Sequence, residues 1–177
     1  MSIFKFKKQG ANAVKNEDKT TAKRHTIMVV DDEQNQLHSL ESLLAEDYIV
    51  IAARNGQEAL DKIKDLEQPE EISVIISDQR MPMMTGTQLF EELITLIPKT
   101  SRILLTAFKD TPAFFNPYEF ILKPFNLEDF KTSVKRAVED FEHRKHEEEE
   151  KQILEKKVGE LSKDLNQAYV GTWVTLK

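Results

Sequence analysis

The chain of 177 residues contains no cysteine. That excludes a disulfide scaffold, a thiolate zinc site and a cysteine nucleophile, and leaves any chemistry to oxygen and nitrogen groups. Long hydrophobic runs are missing too: none is much longer than Ile27-Met28-Val29-Val30, and 32% of the residues are charged. Nothing of that kind crosses a membrane as a helix or forms the core of a secretory signal, so the cytoplasm is the expected compartment. Glycine is scarce at five residues, and no Gly-rich phosphate loop, serine-centred triad or helix-turn-helix module is present.

Charge is uneven along what remains. Residues 1–25 carry net +5, residues 26–125 net −9 and residues 126–177 net −2. A central segment that acidic is a poor nucleic-acid face and a good place for a cation, because clustered carboxylates repel unless something positive neutralises them. No nucleic-acid partner is therefore expected. The first 25 residues are polar and aperiodic, a flexible leader. Within it, Ile3, Phe4 and Phe6 alternate with Lys5, Lys7 and Lys8, a pattern that rests weakly on an anionic membrane surface.

From Thr26 onward, short β-branched runs alternate with stretches of helical period, the mark of a parallel sheet covered by helices. Strands are predicted at Ile27–Val30, Tyr48–Ala53, Ile72–Ser77, Arg102–Leu105 and Glu119–Leu122. Between them lie three apolar helical faces: Leu37, Leu40, Leu43 and Leu44, then Ala59, Leu60, Ile63 and Leu66, then Leu89, Phe90, Leu93 and Ile94. Asn55 with Glu58, and Thr85 with Gln88, have the spacing of first-turn caps. Only thirteen residues, Thr106 to Tyr118, connect the last two strands, and they include Pro112 and Pro117, so a shortened helix or irregular loop is expected there.

After Lys123-Pro124, Asn126 is placed to cap a helix beginning at Leu127. Phe130, Val134, Ala137 and Phe141 follow in a 4-3-4 spacing that reads as a coiled-coil seam. A polar run over 142–152 interrupts it, and Leu154, Val158, Leu161, Leu165 and Ala168 resume it in a shifted register, a stutter. The expected product is a long helix that pairs with a second copy or a partner helix. The plan is thus a leader over 1–25, an α/β domain over 26–140 and a helical extension over 141–177. His143 and His146, with Glu147 and Glu150, read as a solvated charged face. Trp173 reads as a coil or partner contact.

In an open α/β sheet, ligands bind beyond the carboxyl ends of the strands. Those ends carry Asp31-Asp32-Glu33, Asp78, Thr106 and Lys123-Pro124, a set suited to a hard cation and a phosphoryl group. Taken in order, Val29-Val30-Asp31-Asp32-Glu33, Asn55-Gly56-Gln57-Glu58-Ala59-Leu60, Ser77-Asp78-Gln79-Arg80-Met81-Pro82, Leu104-Leu105-Thr106-Ala107 and Lys123-Pro124-Phe125 resemble the receiver domain of two-component response regulators over about residues 26 to 140. The resemblance implies an α/β, doubly wound, five-stranded parallel sheet of order 2-1-3-4-5.

It also implies roles. Asp78 would accept the phosphoryl group, with Lys123 pairing to it and Thr106 hydrogen-bonding it. Mg²⁺ would be held by Asp31, Asp32, Asp78 and the backbone carbonyl of Arg80. Glu33 ranks below the two aspartates, since it also fits the start of the first helix. Phe120 stands where the family keeps the aromatic switch linked to the threonine, although it lacks the hydroxyl of a tyrosine. The connection is short for the fourth helix of the family's usual signalling face, which points to the C-terminal helix as output. The donor would be a histidine kinase or phosphotransfer protein, which makes the chain a phosphorelay switch and not a metabolic enzyme. Two alternatives stand beside it. One is the receiver and linker of a cyclic-di-GMP phosphodiesterase, because residues 165–177 resemble the helix leading into HD-GYP domains. The other is a phosphorylation-independent coiled-coil scaffold.

Overall fold

The computed structural model describes residues 24–107 and 119–174, with side chains as far as residue 167. The first 23 residues of the leader, the connection over 108–118 and the side chain of Trp173 lie outside the described residues. Five strands form one parallel sheet: β1 (Thr26–Val30), β2 (Ile49–Ala53), β3 (Ile72–Asp78), β4 (Ser101–Thr106) and β5 (Glu119–Leu122). Their order is β2-β1-β3-β4-β5, so the expected doubly wound topology is the observed one. The central strands are mostly apolar and buried on both sides because helices cover both faces. β3 is buried over six consecutive residues, and every residue of β4 is buried.

The pleat sorts these residues to two sides. Ile27, Val29, Val74, Ile76, Ile103 and Leu105 pack with α1 (Gln34–Leu44) and the long α4 (Leu127–Val174). Met28, Val30, Ile75 and Leu104 pack with α2 (Gly56–Asp65) and α3 (Gly86–Leu96). The expected helical faces pack on the core, with Leu43 and Leu66 only partly buried and Ile94 exposed. The caps are formed. Asn55 accepts a hydrogen bond from the Glu58 N–H at 2.8 Å, and Thr85 and Gln88 make a reciprocal capping box. Asn126 likewise accepts from the Glu128 N–H at 2.7 Å at the start of α4. Glu33 sits at the N-terminus of α1 without a side-chain cap.

The first apolar stretch of α4 corrects the coiled-coil reading. Phe130, Val134, Ala137 and Phe141 are buried against the chain's own domain, so their 4-3-4 spacing marks the face that covers the sheet. The ring of Phe130 stacks on Phe125, with centroids 5.0 Å apart, which ties the start of α4 to the end of β5. Contacts with the body continue past residue 140. Arg144 donates to the Lys99 carbonyl and to Ser101 Oγ, and Lys145 reaches Glu71 at 2.8 Å. The second stretch is exposed: Leu154, Val158, Leu161 and Leu165 all lie on the free length of the helix.

Candidate functional site

The parallel strands deliver their carboxyl ends to one edge, and the residues there come from four segments. Asp31 follows β1 and is 1% exposed. Its Oδ1 accepts the Glu33 N–H at 2.9 Å, which folds the chain back into α1. Asp78 closes β3, and its Oδ2 accepts the Arg80 N–H at 2.6 Å. Gly86 opens α3 directly against this strand end, where a Cβ would collide with the Asp78 carbonyl and the Leu104 side chain. Thr106 ends β4, buried, and its carbonyl accepts the Lys123 N–H at 2.8 Å. That bond carries the lysine into the site from the end of β5. The Lys123–Pro124 peptide bond is cis.

Lys123 is the hub. Its Nζ donates to Asp78 Oδ1, lies 3.3 Å from Asp31 Oδ2 and donates to Gln36 Oε1 at 2.9 Å. Burial pulls this ammonium below the usual lysine value, but the Asp78 hydrogen bond and the charges of Asp31 and Asp78 outweigh it and leave it above. Asp31 is held above the usual carboxylate value, mainly by burial and further by repulsion from Asp78, despite the Glu33 N–H and Lys123 pulling the other way. A raised acid favours the folded state below its unfolded pKa and loses that contribution as pH rises through its folded value. The Lys123 ammonium offsets the repulsion between the two aspartates.

Asp31, Asp78 and Lys123 are thus brought together as expected. Asp32 is exposed, and so is the side chain of Arg80. Phe120, 40% exposed, lies on β5 opposite Leu104, its ring outside the core. Gln36 is the residue sequence reasoning missed. Its only signal was its position in the first turn of the helix that follows the acidic run, where a side chain reaches back over the strand end. Among the described residues no three acidic or imidazole side chains gather as a ready metal cage. The donors still suit Mg²⁺, which takes one or two carboxylates and keeps its waters. The ammonium of Lys123 already stands between the two carboxylates.

A model of the response regulator receiver domain matches residues 27–135. The chain belongs to this family. It is 32% identical over 123 residues to the hydrogenase transcriptional regulatory protein HoxA of Cupriavidus necator, an overlap of 66% of this chain and 25% of that protein. The receiver therefore spans about a quarter of that relative's length. Among solved structures, the signal receiver domain of an HD domain-containing protein from Pseudomonas fluorescens Pf-5 aligns at a TM-score of 0.64 and 25% identity, covering 73% of this chain and 98% of that one. The response regulator TrrA of Thermotoga maritima, solved in complex with Mg²⁺ and BeF, aligns at 0.56 and 31% identity, covering 64% of this chain and 98% of that one. Among the described residues no helix is long and apolar enough to cross a membrane.

Proposed function

We propose that this receiver takes a phosphoryl group onto Asp78 from a phosphohistidine of a histidine kinase or phosphotransfer protein, in the cytoplasm, and passes the change to α4. The observation carrying this reading is the convergence of Lys123 on Asp78 and Asp31 at the carboxyl edge of the sheet. In the reaction, a carboxylate oxygen of Asp78 forms a bond to phosphorus, the bond from phosphorus to the histidine nitrogen breaks, and that nitrogen keeps the electron pair. Lys123 is placed to follow the charge from the carboxylate to the phosphoryl oxygens. The Thr106 hydroxyl completes the strand-end set as a donor to them, with Phe120 as the aromatic that responds.

Asp31, Asp32, Asp78 and the Arg80 carbonyl are the residues that would hold Mg²⁺, with the exposed Asp32 turning inward. Bound there, the ion would offset the repulsion between the acidic pocket and the incoming phosphoryl group. The same rim supports a docked donor. A groove of about 380 Å³ between Gln36, Leu40 and Leu43 of α1 and Leu105, Phe125 and Leu127 opens beside the site. Similarity to the receiver of an HD domain-containing protein is a similarity of receivers and adds no weight to a phosphodiesterase output.

The test is intact mass after incubation with acetyl phosphate, with and without Mg²⁺. A single phosphoryl adduct that needs Mg²⁺ and vanishes in Asp78→Asn is expected. Absence of the adduct in wild type under every condition would reduce the chain to a scaffold.

A further inference from the structure

The free length of α4 carries an apolar stripe whose partner can be read from charge. Leu154, Val158, Leu161 and Leu165 are 61, 65, 63 and 70% exposed, in unbroken helix. Their 4-3-4 spacing places Leu154 and Leu161 at one core position of a heptad and Val158 and Leu165 at the other. An apolar stripe that none of the described residues of its own domain covers is stabilised by a second helix with the same spacing.

We infer that this stripe pairs with the same stripe of a second copy of the chain, antiparallel, with Val158 of one copy opposite Leu161 of the other. In that register Leu154 falls opposite Leu165, so four consecutive core layers are Leu–Leu or Val–Leu. Lys157 and Asp164, which flank the stripe on one side, then meet as two symmetry-related opposite-charge pairs. Glu155 meets the hydroxyl of Ser162 on the other side. The acidic run Glu147 to Glu150 lies beside residues 169–172, Tyr-Val-Gly-Thr, which include no acid.

The parallel alternative is worse on each count. It lays the two acidic runs side by side and sets Glu150 against Glu155 of the other copy, a like-charge pair made twice. Lys157 would then face Ser162 and lose its partner. Sliding the antiparallel pair by one heptad either puts Lys151 and Glu147 opposite the leucines or brings Asp164 against Asp164. Gly159 has open space around the position of a Cβ and lies on the outer side, so it does not interrupt the layers.

The pairing is independent of whether Asp78 takes phosphate, and its test uses the unphosphorylated full chain. Sedimentation of wild type should show a reversible dimer at concentrations up to about 100 μM, as fits a short coil of four layers. Leu161→Asp should leave only monomer with its thermal melting unchanged. Lys157→Glu should weaken the dimer roughly tenfold, and adding Asp164→Lys to it should restore wild-type affinity within about twofold. Because the chain has no cysteine, orientation is read directly. Leu154→Cys mixed with Leu165→Cys in a glutathione buffer should give disulfide-linked dimers, and each variant alone at least about tenfold fewer. A wild-type monomer throughout, a dimer untouched by Leu161→Asp, or preferential self-linking of Leu154→Cys would each overturn the inference.

Discussion

Two stretches of α4 share a spacing and have opposite fates. Phe130, Val134, Ala137 and Phe141 are buried to 1% exposure or less, whereas Leu154, Val158, Leu161 and Leu165 are more than 60% exposed. Heptad-like spacing says only that a helix has one apolar face. What covers the face depends on what lies beside it, and for the first stretch that is the chain's own sheet. The aromatic content of the first stretch fits a deep, irregular core, while the second, all aliphatic, fits layers against another helix.

The largest way to break this comparison is Phe141→Ala. Removing a fully buried ring should cost about 3–5 kcal/mol in urea unfolding. A cost near that of an exposed site would mean that α4 lifts from the sheet. At the boundary, Arg144→Ala removes charged hydrogen bonds to Ser101 and the Lys99 carbonyl and should cost about 1–2 kcal/mol. It sharpens where the body ends.

Ion pairs should follow the same divide. Glu58 in the body contacts Lys62 at 2.8 Å with its side chain 26% exposed, and its hydrogen bonds to Lys62 and the Arg54 N–H hold its carboxyl down to about 2. The stability it contributes is present above the ordinary 4.5 and lost as pH falls through about 2. Glu58→Gln should therefore cost about 1 kcal/mol at pH 7, discounted for solvent screening, and markedly less at pH 2.5, measured as urea midpoints at the two pH values. By contrast, the Lys151–Glu155 pair spans 4.0 Å with both side chains about two-thirds exposed. Glu155→Gln should move the monomer's stability by less than about 0.3 kcal/mol. Smallest of all, Leu161→Ala should leave the unfolding free energy of dilute monomer within about 0.3 kcal/mol of wild type, since no core is lost and alanine is a good helix former. A core-sized loss there would show that the free length of α4 folds back on its own domain.

Much of the site was legible because a parallel sheet sends every carboxyl end to one edge, so Asp31, Asp78, Thr106 and Lys123 could be grouped by strand position alone. Less legible was which side chains actually touch. Asp32 stands beside Asp31 in sequence but is exposed, in the bend between the end of β1 and the start of α1. Gln36 enters the site from a helix whose rotation no strand pattern specifies.

Arg102 shows the same limit in the core. It is 8% exposed on β4, and its guanidinium caps the carbonyls of Leu93 and Ile97 at the end of α3. Burial first, and the nearby Arg144 charge second, hold it below the usual arginine value. Nothing in its neighbours along the chain announces a buried charge.

By itself, then, the sequence determined the alternation of strands and helices, the strand order through its family motifs, and the residue types gathered at one edge. These follow from local spacing and the geometry of a parallel sheet. Only the tertiary structure decided that Lys123 bridges Asp31 and Asp78, that Asp32 stays outside, and that the first apolar stretch of α4 covers its own sheet while the second projects free. Those outcomes depend on which surfaces meet across long stretches of chain, and a spacing rule records that a face exists without recording what it faces.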